Sequence, residues 1–233
     1  MPTSSYIERR WQLETYFDRT AMEAWKRLTS DAPVGRIRAT VRAGRDEMRN
    51  TLLGWLPEDL SGSRLLDAGC GTGTLAIDAA QRGANVVAVD ISQSLIKIAD
   101  ERAHDISPGL MIDFKVGDML SPTLGKFDHV VAMDSLIHYQ TPDIVRALAL
   151  LLPRVRKSVL FTVAPRTPLL SVMHAVGRAF PRSDRAPAIV PVRETQLRAL
   201  LATEKAAKGW HIGRSRRIAR GFYISHAVEL VRA

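Results

Sequence analysis

The sequence predicts an α/β fold with a seven-stranded, mostly parallel sheet that ends in an antiparallel hairpin. Three observations carry this prediction. Apolar runs of strand length alternate with helical patterns from Ser63 to Val163, which is the order that gives a parallel sheet covered by helices. A glycine-rich loop follows the first of these runs. Two strand-like stretches joined at Gly221 close the chain, and these predict the terminal hairpin at the sheet edge.

The composition is that of a globular protein and limits the choice of partners. The chain has 233 residues, of which 46% are hydrophobic and 24% charged, with a formal net charge of +9. Cys70 is the only cysteine, so a disulfide scaffold is excluded and a reducing cytoplasm is expected. No run reaches the ~20 apolar residues of a membrane-spanning helix, and the N-terminus lacks the apolar core of a signal peptide. The positive charge favours an acidic partner: a nucleic acid, an anionic membrane face or an anionic small molecule.

Residues 1–57 are predicted to form a helical arm that acts as a lid, because their apolar residues recur at spacings of three and four and no strand pattern occurs. Residues 30–35 are rich in helix breakers and are expected to separate two helices. The apolar positions of the first helix are Leu13, Phe17, Ala21, Ala24 and Leu28, and those of the second are Ile37, Val41, Gly44, Met48, Leu52 and Trp55.

Residues 58–164 are predicted to form the core, with Ser92 as a helix N-cap and Pro142 in the first turn of a helix. Residues 165–204 contain five prolines and are expected to form a helical insertion over the active site. Residues 205–233 complete the sheet as the hairpin. The predicted core strands are Arg64–Ala68, Asn85–Val89, Met111–Val116, Phe127–Met133 and Val155–Val163; the predicted core helices are Leu75–Arg82, Ser92–His104 and Pro142–Leu152.

The loop after the first strand has glycines at 69, 71 and 73. Glycine allows the backbone to turn tightly and to approach a ligand, and in an open parallel sheet ligands bind beyond the carboxyl ends of the strands. A dinucleotide fingerprint would need its third glycine at 74, where the chain has Thr74, and no Gly-Lys-Ser/Thr of a phosphate loop follows. Asp67, directly before the loop, is available to face a cationic group.

Two further acids follow the next two strands. Asp90 ends the second strand, where a carboxylate can accept hydrogen bonds from both ribose hydroxyls. Asp118 follows the third strand, where it can accept from an adenine amino group. Each acid alone is more often a cap or turn residue, but the three in this order favour an adenosyl ligand.

This arrangement resembles the Rossmann-like class I S-adenosylmethionine-dependent methyltransferases, whose D-x-G-x-G-T-G motif matches Asp67 to Gly73. The resemblance implies S-adenosylmethionine as methyl donor. It implies that Asp67 lies near the methionine amino group, with the Gly69 and Gly71 backbone around the methionine. It further implies cofactor contacts from residues that follow the second, third and fourth strands: Asp90 and Ile91, Asp118 and Met119, and Asp134.

Several classes of methyl acceptor are disfavoured. The segment after the fourth strand lacks the proline pair of amino-group nucleic-acid methyltransferases, and the one thiol lies in the glycine loop rather than where cytosine C5 chemistry needs it. Paired glutamates typical of protein-arginine enzymes are absent, as is an acid cluster that would hold a catalytic metal. Lys205–Arg220 carries six basic residues and no acid, which suits an anionic substrate or surface. No interleaved aromatic platform supports RNA binding.

Four outer segments resemble the magnesium-protoporphyrin IX O-methyltransferases of chlorophyll and bacteriochlorophyll biosynthesis: Tyr16–Arg27, Val34–Arg49, Asp134–Tyr139 and Gly221–Ser225. The resemblance implies methyl transfer to one propionate of magnesium protoporphyrin IX, giving the monomethyl ester and S-adenosylhomocysteine. The Mg²⁺ belongs to the porphyrin, so no protein metal site is expected. The family also implies hand-over from the magnesium chelatase large subunit, and the basic stretches suggest peripheral contact with the photosynthetic membrane from the cytoplasm.

His138 and Tyr16 are the candidate catalytic residues on the acceptor side. His138 follows the fourth strand and is expected to donate a hydrogen bond to the substrate carboxylate, whereas Tyr16 lies on the apolar stripe of the arm. Packing alone would explain either residue. Two other functions stay open at this point: an O-methyltransferase for a quinone-like molecule or another carboxylic acid, and a non-catalytic scaffold that retains the fold.

Overall fold

The computed structural model describes residues 1–19, 36–166 and 188–233. Two helices precede the sheet, α1 (Ser4–Arg19) and α2 (Arg36–Trp55). The predicted apolar positions 21, 24 and 28, the loop at 30–35 and most of the insertion lie outside the described residues. The remaining elements are β1 (Arg64–Ala68), α3 (Thr74–Gln81), β2 (Asn85–Asp90), α4 (Gln93–Ile106), β3 (Ile112–Val116), β4 (Phe127–Ala132), α5 (Thr141–Leu151), β5 (Val155–Val163), α6 (Glu194–Thr203), β6 (Trp210–Arg220) and β7 (Tyr223–Arg232).

The seven strands form one sheet in the order β3-β2-β1-β4-β5-β7-β6. Strands β1 to β5 pair in parallel, whereas β7 is antiparallel to both β5 and β6. The order reverses between β1 and β4, so a crevice opens beyond their carboxyl ends. The predicted fold class, including the terminal hairpin, is confirmed.

Adjacent residues of the central strands belong to opposite faces of the sheet, as the strand period of two requires. Leu66, Val130 and Phe161 pack with α1, α5 and α6, whereas their neighbours Leu65, Val131 and Leu160 pack with α2 and α3. Both faces are therefore buried, and this is why the core strands are apolar runs rather than alternating ones.

The two residues that were predicted to mark helix starts, Ser92 and Pro142, do so in the structure. The Ser92 hydroxyl accepts a hydrogen bond from the Leu95 amide and caps α4, and Pro142 lies in the first turn of α5. Strand β4 is one residue shorter than predicted and leaves Met133 outside, because Asp134 has a φ of 55° and extended structure cannot continue through that conformation.

Among the described residues, no helix is long and apolar enough to cross a membrane. The division of the chain at residues 57, 164 and 204 remains our proposal for its functional segments.

Candidate active site

A cavity of about 690 Å³ opens at the carboxyl ends of the central strands. The glycine loop and the ends of β2 and β4 form its floor, and α1, α2 and the β6–β7 turn form its walls. Its volume is in the range of small-molecule sites. The arm and the core therefore enclose one continuous space.

The glycine loop needs glycine for two separate reasons. Gly69, Gly71 and Gly73 have φ values of 85°, 56° and 75°, which side-chain-bearing residues rarely adopt. In addition, a Cβ on Gly69 would lie 2.4 Å from the Cβ of Ser135, so the loop and the segment after β4 are in direct contact. The loop conformation brings backbone to the cavity and leaves no room for a side chain at position 69.

Asp67 is the buried acid beside this loop. The residue is only 2% exposed to solvent, and its Oδ2 atom has no hydrogen-bond partner. Burial, followed by the nearby Asp90 charge, raises the pKa of Asp67 to about 7. A buried carboxylate with an unpartnered oxygen fits a cationic ligand group, such as the ammonium of S-adenosylmethionine.

Asp90 is the last residue of β2, and its carboxylate holds the glycine loop in place. Its carboxylate accepts hydrogen bonds from the Gly71 and Ser92 amides, both at 2.9 Å. Burial raises the pKa of Asp90 above its usual range. Each carboxylate oxygen keeps lone pairs beyond these bonds, and both Asp90 and its neighbour Ile91 line the cavity. The predicted contact with ribose remains compatible with this geometry.

Asp118 has acquired partners that the sequence did not indicate. Its carboxylate accepts a hydrogen bond from the Tyr6 hydroxyl at 2.9 Å and forms an ion pair with Arg10 at 2.8 Å. The Tyr6 ring also stacks on Tyr139 at 4.7 Å between ring centroids. Asp118 thus anchors α1 to the sheet, while the adjacent Met119 lines the cavity.

Tyr6 and Arg10 were missed at the sequence level. Their spacing of four residues places them on one face of a helix, which was the available signal. That signal does not identify Asp118 as the partner, since 112 residues separate Tyr6 from it.

His138 ends a short 3₁₀ turn, Leu136–His138, and its ring lines the cavity. Burial is the main cause that lowers its pKa to about 4, so the ring is neutral at physiological pH. Its Nδ1 lies 3.4 Å from the Ala188 carbonyl oxygen. Because a carbonyl only accepts, this contact assigns the ring proton to Nδ1 and leaves Nε2 as an acceptor.

This tautomer bears on the predicted role of His138 as a donor to the substrate. Donation from Nε2 requires the proton to move from Nδ1. The Ala188 carbonyl also accepts from Arg9 Nη2 at 2.7 Å, so it retains a partner when the imidazole bond is lost. Arg9 Nε also donates to the His138 carbonyl at 3.0 Å, which ties α1 to this turn.

Tyr16 and His138 line the same cavity although Tyr16 belongs to the N-terminal arm and His138 to the core. Phe17 connects them: its ring centroid is 5.3 Å from that of Tyr16 and 6.2 Å from that of His138, both in edge-to-face arrangements. The structure therefore brings the two predicted acceptor-side residues together around one aromatic ring.

Asp134 lies on the cavity wall with its carboxylate already engaged. The Tyr223 hydroxyl donates to it at 3.0 Å, and the Thr162 hydroxyl at 3.3 Å. Arg45 lies 3.6 Å away. This geometry does not test the predicted role of Asp134 as a cofactor contact.

A row of arginines on α2 was also missed at the sequence level. Arg42, Arg45 and Arg49 recur at spacings of three and four and line the cavity. Arg49 pairs with Asp78 of α3 at 2.8 Å. The helical spacing of these arginines was visible in the sequence. Periodicity alone, however, does not distinguish a helix face that lines a cavity from one that is exposed to solvent.

Taken together, these residues form a site with two ends. One end has a glycine loop and buried acids, which suit a cationic nucleoside. The other end has aromatic rings, a neutral imidazole and arginines, which suit a flat apolar molecule with a carboxylate.

Comparison with known proteins connects this site to one enzyme family. Residues 65–157 match a general methyltransferase domain, and residues 132–232 match the magnesium-protoporphyrin IX methyltransferase C-terminus. The second match begins at the end of β4 and includes His138, Asp134 and the hairpin.

Whole-chain similarity extends the match through the arm. The chain is 49% identical over 227 residues to the magnesium-protoporphyrin O-methyltransferase of Rhodobacter capsulatus, which covers 97% of this chain and 98% of that relative. A crystal structure of magnesium protoporphyrin IX methyltransferase from Synechocystis with bound S-adenosylhomocysteine superposes with a TM-score of 0.85 at 29% identity, covering 97% of this chain and 100% of that one. The same enzyme with bound S-adenosylmethionine gives a TM-score of 0.81 at 26% identity, covering 99% and 100%.

Proposed function

The chain belongs to the magnesium-protoporphyrin O-methyltransferase family, and from this premise we propose that it transfers a methyl group from S-adenosylmethionine to magnesium protoporphyrin IX. The acceptor is a propionate carboxylate, and the products are the monomethyl ester and S-adenosylhomocysteine. The reaction belongs to bacteriochlorophyll biosynthesis.

The observation that carries this proposal is the extent of the similarity to the Rhodobacter capsulatus relative, 97% of the chain at 49% identity. A shared methyltransferase core would support only the cofactor. Here the identity extends over α1, α2 and the hairpin, which supply the acceptor end of the cavity. This argues against a quinone-like acceptor and against a scaffold without turnover.

S-adenosylmethionine supplies an electrophilic methyl group on a sulfonium when it is bound. Asp67 offers its unpartnered oxygen to the ammonium, and the glycine backbone follows the methionine chain. Asp90 accepts from the ribose, with Ile91 and Met119 beside the adenine. Met119 rather than Asp118 lines the cavity, while the Asp118 carboxylate holds helix α1 through Tyr6 and Arg10.

The acceptor requires orientation rather than a strong base. A propionate resembles a glutamate side chain, with a pKa of ~4.3, so it is ionised at neutral pH. His138 and Tyr16 align one carboxylate oxygen with the methyl group, and Phe17 and Tyr139 exclude water from the same space. Tyr16 brings a hydroxyl donor to the acceptor end of the cavity, whereas His138 donates from Nε2 after the proton shift described above.

The test is a methyl-transfer assay with the purified chain, S-adenosylmethionine and magnesium protoporphyrin IX. The ester is detected by chromatography and mass spectrometry. Metal-free protoporphyrin IX and a catechol-type quinone precursor are offered in parallel. We expect the magnesium porphyrin to be the preferred acceptor, and methylation of the quinone precursor alone would contradict the proposal.

The apolar substrate and product also suggest how the enzyme meets its partners. Ile7 and Trp11 lie four residues apart on α1 and are 48% and 65% exposed, and the chain carries a net charge of +9. We propose peripheral contact with the photosynthetic membrane on its cytoplasmic side and hand-over of substrate from the magnesium chelatase large subunit.

Co-sedimentation with phosphatidylglycerol vesicles tests the membrane contact, with Trp11→Ala expected to reduce binding relative to wild type. Addition of the chelatase large subunit should raise kcat/KM for the porphyrin. Equal sedimentation with and without vesicles, or an unchanged kcat/KM, would contradict the respective proposal.

A further inference from the structure

We propose that Asp134 is a positioning residue: a hydrogen-bonded cluster of Tyr223, Thr162 and Arg45 holds it in a left-handed conformation and thereby sets the segment that carries Ser135 and His138. This inference rests on the proposed function and gives the Gly221–Ser225 hairpin motif a role in the reaction.

The first step is the backbone of Asp134. Its φ of 55° is the one positive value at a non-glycine position among the described residues. Few non-glycine residues adopt a positive φ; Asp and Asn tolerate it best, and surrounding contacts hold it in place. It lies directly after β4, where the chain leaves the sheet and enters the cavity wall.

The second step is the set of contacts that impose it. The Asp134 amide donates to the Thr162 hydroxyl at 2.8 Å, and that hydroxyl in turn donates to the Asp134 carboxylate at 3.3 Å. The Tyr223 hydroxyl donates to both carboxylate oxygens, at 3.0 and 3.2 Å. Thr162 is fully buried and Tyr223 nearly so, so water does not compete for these bonds.

The Tyr223 hydroxyl is a permanent donor in this cluster. Burial, followed by the Asp134 charge, raises its pKa well above the usual range for a tyrosine. The Tyr223 hydroxyl therefore keeps its proton over the physiological pH range.

The third step is the connection to the arm. Gly44 of α2 packs against Tyr223 so closely that a Cβ there would lie 2.5 Å from the ring atom Cδ1. The next residue of the helix, Arg45, reaches the Asp134 carboxylate at 3.6 Å. Helix α2, the start of β7 and the end of β5 thus meet at a single carboxylate.

The fourth step is the consequence for the reaction. Residue 135 follows immediately, and its Cβ fills the space that a side chain on Gly69 would need. Three residues further, His138 lines the acceptor end of the cavity. A change in the Asp134 backbone would therefore displace the imidazole of His138 at the acceptor end.

Two conservative variants test the inference. Tyr223→Phe and Thr162→Val each remove a hydroxyl and little volume. We expect each to lower kcat for magnesium protoporphyrin about 10-fold, with the Kd for S-adenosylhomocysteine changed less than about 3-fold. Asp134→Asn should lower kcat less than either of these variants does, because asparagine still accepts from Tyr223 and tolerates a positive φ. Thr51→Val is the matched control, since Thr51 is a buried threonine of α2 whose hydroxyl bonds to the Glu47 carbonyl.

A double-variant cycle separates positioning from general destabilisation. If Tyr223 acts through His138, then Tyr223→Phe should lower kcat by less than about 3-fold in a His138→Ala background. Full additivity would overturn the inference. A loss of S-adenosylhomocysteine affinity in Asp134→Asn larger than its loss of kcat would also overturn it, by making Asp134 a cofactor ligand.

A measurement without turnover keeps the inference distinct from the proposed function. The ¹⁵N resonances of the His138 ring report its tautomer and contacts. Tyr223→Phe should shift them, whereas Thr51→Val should not. If the wild-type protein is inactive but Tyr223→Phe shifts the His138 resonances, the proposed function is refuted and the positioning role is supported. If Tyr223→Phe leaves the His138 resonances unshifted, the positioning role is overturned.

Discussion

At the scale of single residues, Asp67 combines a cost to folding with a benefit to binding. Its carboxylate is buried with one oxygen unpartnered, which is unfavourable until a cation arrives. Asp67→Asn removes the charge and keeps the shape. We expect it to weaken S-adenosylmethionine binding ~10- to 100-fold and to raise the Tm of the free protein by about 3–6 °C. Calorimetry and thermal melts measure these effects.

The pH dependence of the Asp67 effect has a definite sign. The folded protein holds the Asp67 proton up to a pKa of about 7, whereas the unfolded chain releases it near its ordinary value of ~3.9. Stability is therefore lost as pH rises through this window, and the Tm gain of Asp67→Asn should be largest above pH 7. Asp100→Asn on the exposed side of α4 is the control, and a gain of equal size there would contradict the assignment.

His138 and Tyr16 should act on the rate rather than on cofactor affinity. His138→Ala and Tyr16→Phe are each expected to lower kcat ~10- to 100-fold while the Kd for S-adenosylmethionine stays within about 3-fold, because alignment is lost and the nucleophile is already anionic. Steady-state kinetics on magnesium protoporphyrin measure this. Since the pKa of His138 is about 4, kcat should not show a titration near pH 6.5.

His104→Ala is the matched control for these variants, because His104 is exposed on α4. Wild-type kcat in both His138→Ala and Tyr16→Phe would assign these side chains to packing. Only the cofactor half of the proposed site would then remain.

At the scale of elements, helix α1 is held to the core by a small number of polar contacts. Tyr6 and Arg10 bind Asp118, and Asp18 accepts from the Ser92 hydroxyl at 2.6 Å at the start of α4. A negative side chain at a helix N-terminus is stabilising. Helix α1 is therefore attached near both of its ends, with the aromatic residues of the acceptor site between these contacts.

Removing one attachment should loosen the helix without unfolding the core. Tyr6→Phe loses a partly buried hydrogen bond to a carboxylate, worth about 1.5–3 kcal/mol. We expect faster hydrogen exchange in residues 4–19 and a higher KM for the porphyrin, with unchanged exchange in the central strands. Exchange measured by mass spectrometry tests this, and equal acceleration throughout the chain would indicate global destabilisation instead.

At the scale of the whole molecule, the charge balance should assist capture of the substrate. The chain has a net charge of +9, and magnesium protoporphyrin carries two carboxylates. Association of oppositely charged molecules slows as salt screens their attraction. We therefore expect kcat/KM for the porphyrin to fall by about 3- to 10-fold when NaCl is raised from 0.05 to 0.5 M. The Kd of zwitterionic S-adenosylhomocysteine provides the comparison, and an equal salt effect on both would contradict electrostatic capture.

The sequence by itself determined the fold class and the S-adenosylmethionine cofactor, and it predicted which residues form the cofactor end of the candidate site. The glycine spacing after β1, the acids at the ends of β1 and β2 and the acid after β3 are local signals, because a strand end and its loop are fixed by neighbouring residues. Ser92 and Pro142 gave helix starts for the same reason. The outer segments were identified by resemblance, which the full-length relative confirms.

The tertiary structure alone decided how these parts are joined. Asp118 anchors the arm through a partner 112 residues away, and Asp134 is held by Tyr223 at a separation of 89. Side-chain patterns along one helix or strand show which face packs against the rest of the protein, but they do not show which residues that face contacts. The tautomer of His138 likewise depends on Ala188, 50 residues further along. Contacts between distant segments form only when the sheet and helices pack, so no local spacing in the sequence determines them.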